Sequence, residues 1–195
     1  EQNRLELLYA DVVSGDVRVV LTETDPYWVR IDDDLTFLEG SDRFIWTSPR
    51  SGYKHAYLYD YDGHMVNQIT TGEWEINAAR APYAVLGVNE EAGWMYFEGK
   101  KDGVIEQHLY RVRLDDAGFE HLSEEPGWHT TSLSPDTQHF VKTFTDVKTP
   151  PQISVHRADG SFIRWVKKSE MPGLSEFDIA EPEFLTVRTS DGEDL

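Results

Sequence analysis

The chain reads as all-β, a partial β-propeller of about three and a half four-stranded antiparallel blades. Three observations carry this. Short apolar strands alternate with turn signals along nearly the whole length. A strand ending in a small hydroxyl residue is followed by a tryptophan three times, at Leu21-Thr22…Trp28, Ile69-Thr70…Trp74 and Leu122-Ser123…Trp128. These copies recur at roughly 50 residues, the period of stacked four-stranded sheets.

Taken in order, residues 5–13 and 17–21 form a lone strand pair joined at Ser14-Gly15, matching the last two strands of a unit. Leu35-Thr36-Phe37-Leu38, Phe44-Ile45-Trp46-Thr47, His55-Ala56-Tyr57-Leu58-Tyr59-Asp60 and Met65-Val66-Asn67-Gln68-Ile69-Thr70 make the first full unit. Asp62-Gly63 is its hairpin, because both central positions of a two-residue turn need positive φ. Ala84-Val85-Leu86-Gly87-Val88, Trp94-Met95-Tyr96-Phe97, Leu109-Tyr110-Arg111-Val112 and Phe119-Glu120-His121-Leu122 make the second, turning between Asp115 and Gly118. Thr130-Thr131-Ser132-Leu133, His139-Phe140-Val141, Ile153-Ser154-Val155-His156 and Phe162-Ile163-Arg164-Trp165-Val166 make the third, with Asp159-Gly160 as hairpin. The blade pieces are therefore 1–24, 35–72, 84–124 and 130–168, within a propeller part spanning 1–170. No stretch keeps a helical period, and residues 169–177 form at most a short turn. A β-sandwich also needs many short strands; the common register of the hairpin-plus-tryptophan units favours blades.

Composition bounds the function. The 195 residues suffice for one sizeable core. A net charge of −18 argues against a nucleic-acid partner, which needs clustered Lys and Arg. Such acidity reads as a solubilising surface, with weak attraction for cationic ligands such as a peptide's ammonium end. The absence of cysteine removes disulfides, thiolate zinc sites and a cysteine nucleophile. No run is apolar enough to span a membrane.

The motifs of several chemistries are absent. Gly173-Leu174-Ser175-Glu176-Phe177 lacks the second glycine of a nucleophile elbow. There is no phosphate-binding glycine loop and no His-Glu-x-x-His, and no cofactor is expected. Asp32-Asp33-Asp34 reads as a solvated inter-blade loop rather than a calcium corner. Asp60-Tyr61-Asp62-Gly63 reads as a hairpin, lacking the distal acids of a calcium loop. Glu90-Glu91 and Glu124-Glu125 read as surface charge. The seven histidines show no metal-ligand spacing; His55 and His108 each precede a Leu-Tyr strand, which marks a recurring structural position. Trp28, Trp74 and Trp128 are expected to pack between blades rather than to stack on a sugar.

Ile69-Thr70-Thr71-Gly72-Glu73-Trp74-Glu75, Phe44-Ile45-Trp46-Thr47-Ser48, Gly52-Tyr53-Lys54-His55-Ala56-Tyr57-Leu58-Tyr59-Asp60 and Glu125-Pro126-Gly127-Trp128-His129 together resemble the later propeller blades of dipeptidyl peptidase IV-type serine peptidases, bacterial members above all, in the prolyl oligopeptidase clan. Leu133-Ser134-Pro135-Asp136 is similar to the clan's blade turn, with Thr137 where glycine is usual. Residues 182–192 resemble the strand leading into an α/β-hydrolase domain, so 171–195 is expected to be linker plus that first strand.

The resemblance implies a parent with an eight-bladed propeller capping a Ser-Asp-His hydrolase, removing dipeptides from N-termini with proline or alanine second. It places such a bacterial parent in the periplasm or at a membrane. The triad and the paired substrate-gripping glutamates are expected to lie outside this chain. One residue carries over: in the loop Trp28-Val29-Arg30, Arg30 matches an arginine facing the substrate pocket. The propeller's part would be to gate access and position peptide ends, and the chain alone is expected to be inactive. A scaffold propeller of the TolB or WD type, binding other proteins, is the alternative. A five-bladed glycosidase would need placed carboxylates that no pair here supplies. Open blade faces also predict self-association.

Overall fold

The computed structural model describes residues 2–30, 34–76, 83–115, 117–177, 180 and 182–192. Four antiparallel sheets follow one another along them. The first is a pair, β1 (Arg4–Ala10) and β2 (Val17–Thr24). The next three are four-stranded meanders in sequential order. The first meander holds β3 (Leu35–Phe37), β4 (Arg43–Ser48), β5 (His55–Asp60) and β6 (Met65–Gln68). The second holds β7 (Val85–Asn89), β8 (Trp94–Gly99), β9 (His108–Arg113) and β10 (Phe119–His121). The third holds β11 (Trp128–Leu133), β12 (His139–Thr145), β13 (Gln152–Arg157) and β14 (Phe162–Lys167). A 3₁₀ turn follows at Pro172–Glu176. This is a partial β-propeller, with strands and hairpins where sequence places them. Residues 182–187 form no strand.

Successive side chains of a strand point to opposite faces, so a blade between two others must be apolar on both. β5 shows it: Ala56 and Leu58 enter a cluster with Met95 and Phe97 of the following sheet. Tyr57 and Tyr59 enter another with Leu21 and Leu5 of the first pair. A third cluster, Tyr96, Leu109, Leu122 and Phe140, joins the last two sheets. The core is thus three wedges between blades. In the middle wedge Trp74 stacks on Phe97 at 5.9 Å and meets His55 edge-on at 5.2 Å. Among the described residues no sheet follows β14, which is exposed throughout.

The small hydroxyl of the repeat has a definite task. Thr70 Oγ1 accepts the Ala56 N–H at 3.0 Å, and Ser123 Oγ accepts the Leu109 N–H at 2.9 Å. The preceding histidine lies against each: His55 Nδ1 is 3.0 Å from Thr70 Oγ1, and His108 Nδ1 is 3.2 Å from Ser123 Oγ. A histidine, a hydroxyl and a backbone amide so close the same corner of two successive blades.

Hairpin glycines answer to backbone geometry. Gly63 has φ +88°, and a Cβ there would stand 1.9 Å from the Val20 carbonyl oxygen. Glycine therefore permits both the turn and the approach of this hairpin to β2. Thr137, where the clan favours glycine, holds φ +53°.

Three expectations need correction. Trp28 is 60% exposed rather than packed between blades, whereas Trp74 follows the expectation. Asp34 is buried rather than solvated: its Oδ1 accepts the Ala84 N–H at 2.7 Å, its Oδ2 accepts the Thr47 hydroxyl at 2.9 Å, and Lys54 Nζ pairs with it. Its neighbours Asp32 and Asp33 lie outside the described residues. Glu90 is a bridge and not loose charge, because its carboxylate accepts the N–H groups of Glu39 and Gly40 in the preceding blade. Glu125 stays at the surface as expected, its side chain 56% exposed, and pairs there with the nearly buried Lys142 at 2.8 Å. At the Asp34 junction a buried carboxylate satisfies a buried backbone N–H.

Candidate functional site

The one residue singled out for substrate contact, Arg30, is placed by local chemistry. After β2 the chain turns at Asp25, whose Oδ1 accepts the N–H groups of Tyr27 and Trp28 at 2.7 and 3.0 Å. The Trp28 amide is the main reason the Asp25 carboxyl sits below its ordinary range. Asp25 N–H donates to Asn3 C=O at 3.1 Å and Val29 N–H to Gln2 C=O at 2.9 Å, which ties the segment to the start of β1. Trp28, Val29 and Arg30 then line a cavity of about 310 Å³, together with Glu23, Trp46, Ser48 and Arg50.

Glu23, Trp46 and Arg50 of this lining form a polar assembly. Trp46 Nε1–H donates to Glu23 Oε1 at 2.9 Å. Arg50 pairs with the same oxygen, donates to the Tyr59 hydroxyl, and lies over the Tyr57 ring at 4.6 Å. Burial alone would lower the Arg50 guanidinium, but its bonds to Glu23 and Tyr59 outweigh that and hold it raised. Burial in turn pushes the Tyr59 phenol up, against the pull of Arg50. The cavity lining therefore includes two arginines, Arg30 and Arg50, two carboxylate residues, Glu23 and Asp25, and the tryptophans Trp28 and Trp46. Such a lining suits the carbonyl or charged end of a peptide.

Sequence reasoning placed Arg30 and overlooked its neighbours. Glu23 and Arg50 lie 27 residues apart and meet only because β2 packs beside the β4–β5 turn. The histidines also needed the fold: no sequence spacing marks His108 and His121, yet their rings lie 4.5 Å apart. Across the β9–β10 hairpin, His121 sits opposite Tyr110, one strand step from His108. That cross-strand register was the available signal. Among the described residues no helix is long and apolar enough to cross a membrane.

A family model described as the dipeptidyl peptidase IV (DPP IV) N-terminal region matches residues 1–151. The chain belongs to this family. Among its relatives, probable dipeptidyl-aminopeptidase B of Aspergillus fumigatus is 28% identical over 80% of this chain and 18% of its own length. Probable dipeptidyl peptidase 4 of Arthroderma benhamiae is 24% identical over 95% of this chain and 25% of its own length. The crystal structure of Porphyromonas gingivalis dipeptidyl peptidase 4 superimposes with a TM-score of 0.86 at 23% identity, covering 99% of this chain and 27% of that one. The chain thus spans between 18% and 27% of the length of these DPP IV-type proteins. The superposition on the Porphyromonas gingivalis structure covers the stacked-blade architecture described above.

Proposed function

We propose that this chain is the non-catalytic propeller portion of a dipeptidyl peptidase IV-like serine exopeptidase. It would gate access and help position peptide N-termini, with proline or alanine second, for a hydrolase domain of the same parent chain. The match of residues 1–151 to the DPP IV N-terminal region carries this reading. The cavity that Arg30 lines together with Glu23 and Arg50 supports a positioning role. Nucleophilic and acid–base chemistry would belong to the hydrolase domain. Residues 171–195 would be the linker toward it.

The test uses a Gly-Pro chromogenic dipeptide substrate and the parent protein. The parent cleaves it, and Arg30→Ala raises KM about tenfold with kcat nearly unchanged, as for loss of a contact made equally in ground and transition states. An unchanged KM removes Arg30 from the pocket. The 195-residue chain alone releases no product, and inhibitor-sensitive release by it would overturn the reading. The chain alone would also self-associate: Leu8 and Val19 of the first pair and Val141 of the last blade are exposed by 54%, 49% and 39%. A monomer mass by light scattering at high concentration contradicts that.

A further inference from the structure

Three segments meet at one end of the β7–β10 blade: the loop of residues 100–107, the first residue of β9 and the last of β10. They bring Asp102, His108 and His121 together, with one ligand-capable atom from each within 4.8 Å of the others. His121 Nδ1 is 3.7 Å from Asp102 Oδ2. The His108 and His121 rings stand nearly perpendicular, at 87°.

The surroundings orient these groups as ligands. His108 Nδ1 is 2.6 Å from the Ser123 carbonyl oxygen, a contact that needs the proton on Nδ1. Nε2 is then turned to the cluster, 2.8 Å from Glu106 Oε2. At that distance a proton lies between the nitrogen and the carboxylate oxygen, and a metal ion on Nε2 would displace it. The Tyr110 hydroxyl donates to Asp102 Oδ2 and steadies the carboxylate from outside. Metal-bound histidines are held in this way, with the second ring N–H on a backbone carbonyl and the carboxylate ligand itself hydrogen-bonded. His108 is buried, while the His121 and Asp102 side chains keep 33% and 40% of their exposure, which leaves an entry path from solvent.

We propose that Asp102, His108 and His121 bind a divalent transition-metal ion of the zinc class. Two imidazoles and a carboxylate are a donor mix that borderline ions take, whereas calcium and magnesium select oxygen alone. Ligand atoms about 2.0–2.1 Å from a tetrahedral ion stand roughly 3.4 Å apart, so small side-chain rotations close the site. The ion would pin the loop of residues 100–107 to both strands of the β9–β10 hairpin. The site is separate from the Arg30 cavity and does not depend on the proposed peptidase role.

Zinc alone is titrated by calorimetry into chelator-treated protein, wild type and variants, with circular dichroism to establish that each is folded. The accessible ligands are changed, in His121→Ala and Asp102→Asn, because the buried His108 contributes to the blade corner. His64→Ala serves as control: His64 is an exposed histidine 3.0 Å from Asp60, the same residue types without the cluster. One ion per chain is expected, with affinity at least about tenfold weaker in each ligand variant and unchanged in His64→Ala. Calcium gives no such binding, and cobalt substitution gives the strong visible bands of a tetrahedral site. Wild-type affinity in folded His121→Ala and Asp102→Asn overturns the proposal. So does a stoichiometry well below one, or an equal loss in His64→Ala.

Discussion

Replacing Asp34 by alanine removes the carboxylate that joins two blades. Asp34 is 2% exposed. It accepts the Ala84 N–H at 2.7 Å, just before β7, and the Thr47 hydroxyl of β4 at 2.9 Å, and it pairs with Lys54. A hydrogen bond to a charged group contributes about 1.5–3 kcal/mol, and removing one partner of a buried ion pair costs about 3–5 kcal/mol. These terms overlap, and Lys54 keeps 21% of its side-chain exposure, so water offsets part of the loss. Asp34→Ala should therefore cost about 3–4 kcal/mol, a large share of a typical domain's 5–15 kcal/mol. Asp34→Asn keeps an acceptor for Ala84 and loses the charge, so it should cost about 1–3 kcal/mol. Urea unfolding followed by fluorescence measures both, with the midpoint falling at constant slope. The reasoning fails if alanine costs under about 1 kcal/mol, or if asparagine costs as much as alanine.

Other outcomes follow from the same junctions. Thr70→Val keeps the volume but leaves the buried Ala56 N–H without its 3.0 Å acceptor, and should lose about 1–3 kcal/mol in the same unfolding experiment. Gly63→Ala should destabilise more than any exposed-turn substitution, because its φ is +88° and the new Cβ would collide with Val20; a thermal midpoint within a degree or so of wild type contradicts this. Burial lowers both His55 and His156 below 6.5, so below that value the unfolded chain binds more protons than the folded one. Their contribution is complete above pH 6.5 and is lost as pH falls toward their folded values, at up to about 1.4 kcal/mol per pH unit for each group. Denaturation midpoints that stay flat between pH 7.5 and 5 would refute that sign.

The strands, hairpins and blade order were legible because they rest on local chemistry. Alternating apolar residues, Asp-Gly pairs and the recurring hydroxyl act over a few neighbours along the chain. The tasks of charged side chains were not legible in that way. Asp34 and Glu90 look alike as surface acids in sequence, and only the approach of the next blade turns amide groups toward them. Trp28 and Trp74 occupy equivalent places in the repeat, yet one is exposed and the other is wedged against Phe97. A tryptophan is buried only where a neighbouring sheet supplies its facing surface.

Sequence by itself determined the all-β class, the blade register and the DPP IV-type resemblance, since each lies in short-range pattern. Tertiary structure alone decided that Arg30, Glu23 and Arg50 line one cavity, and that Asp102, His108 and His121 converge. Those groups are far apart along the chain, and only the stacking of twisted sheets sets the distances between them.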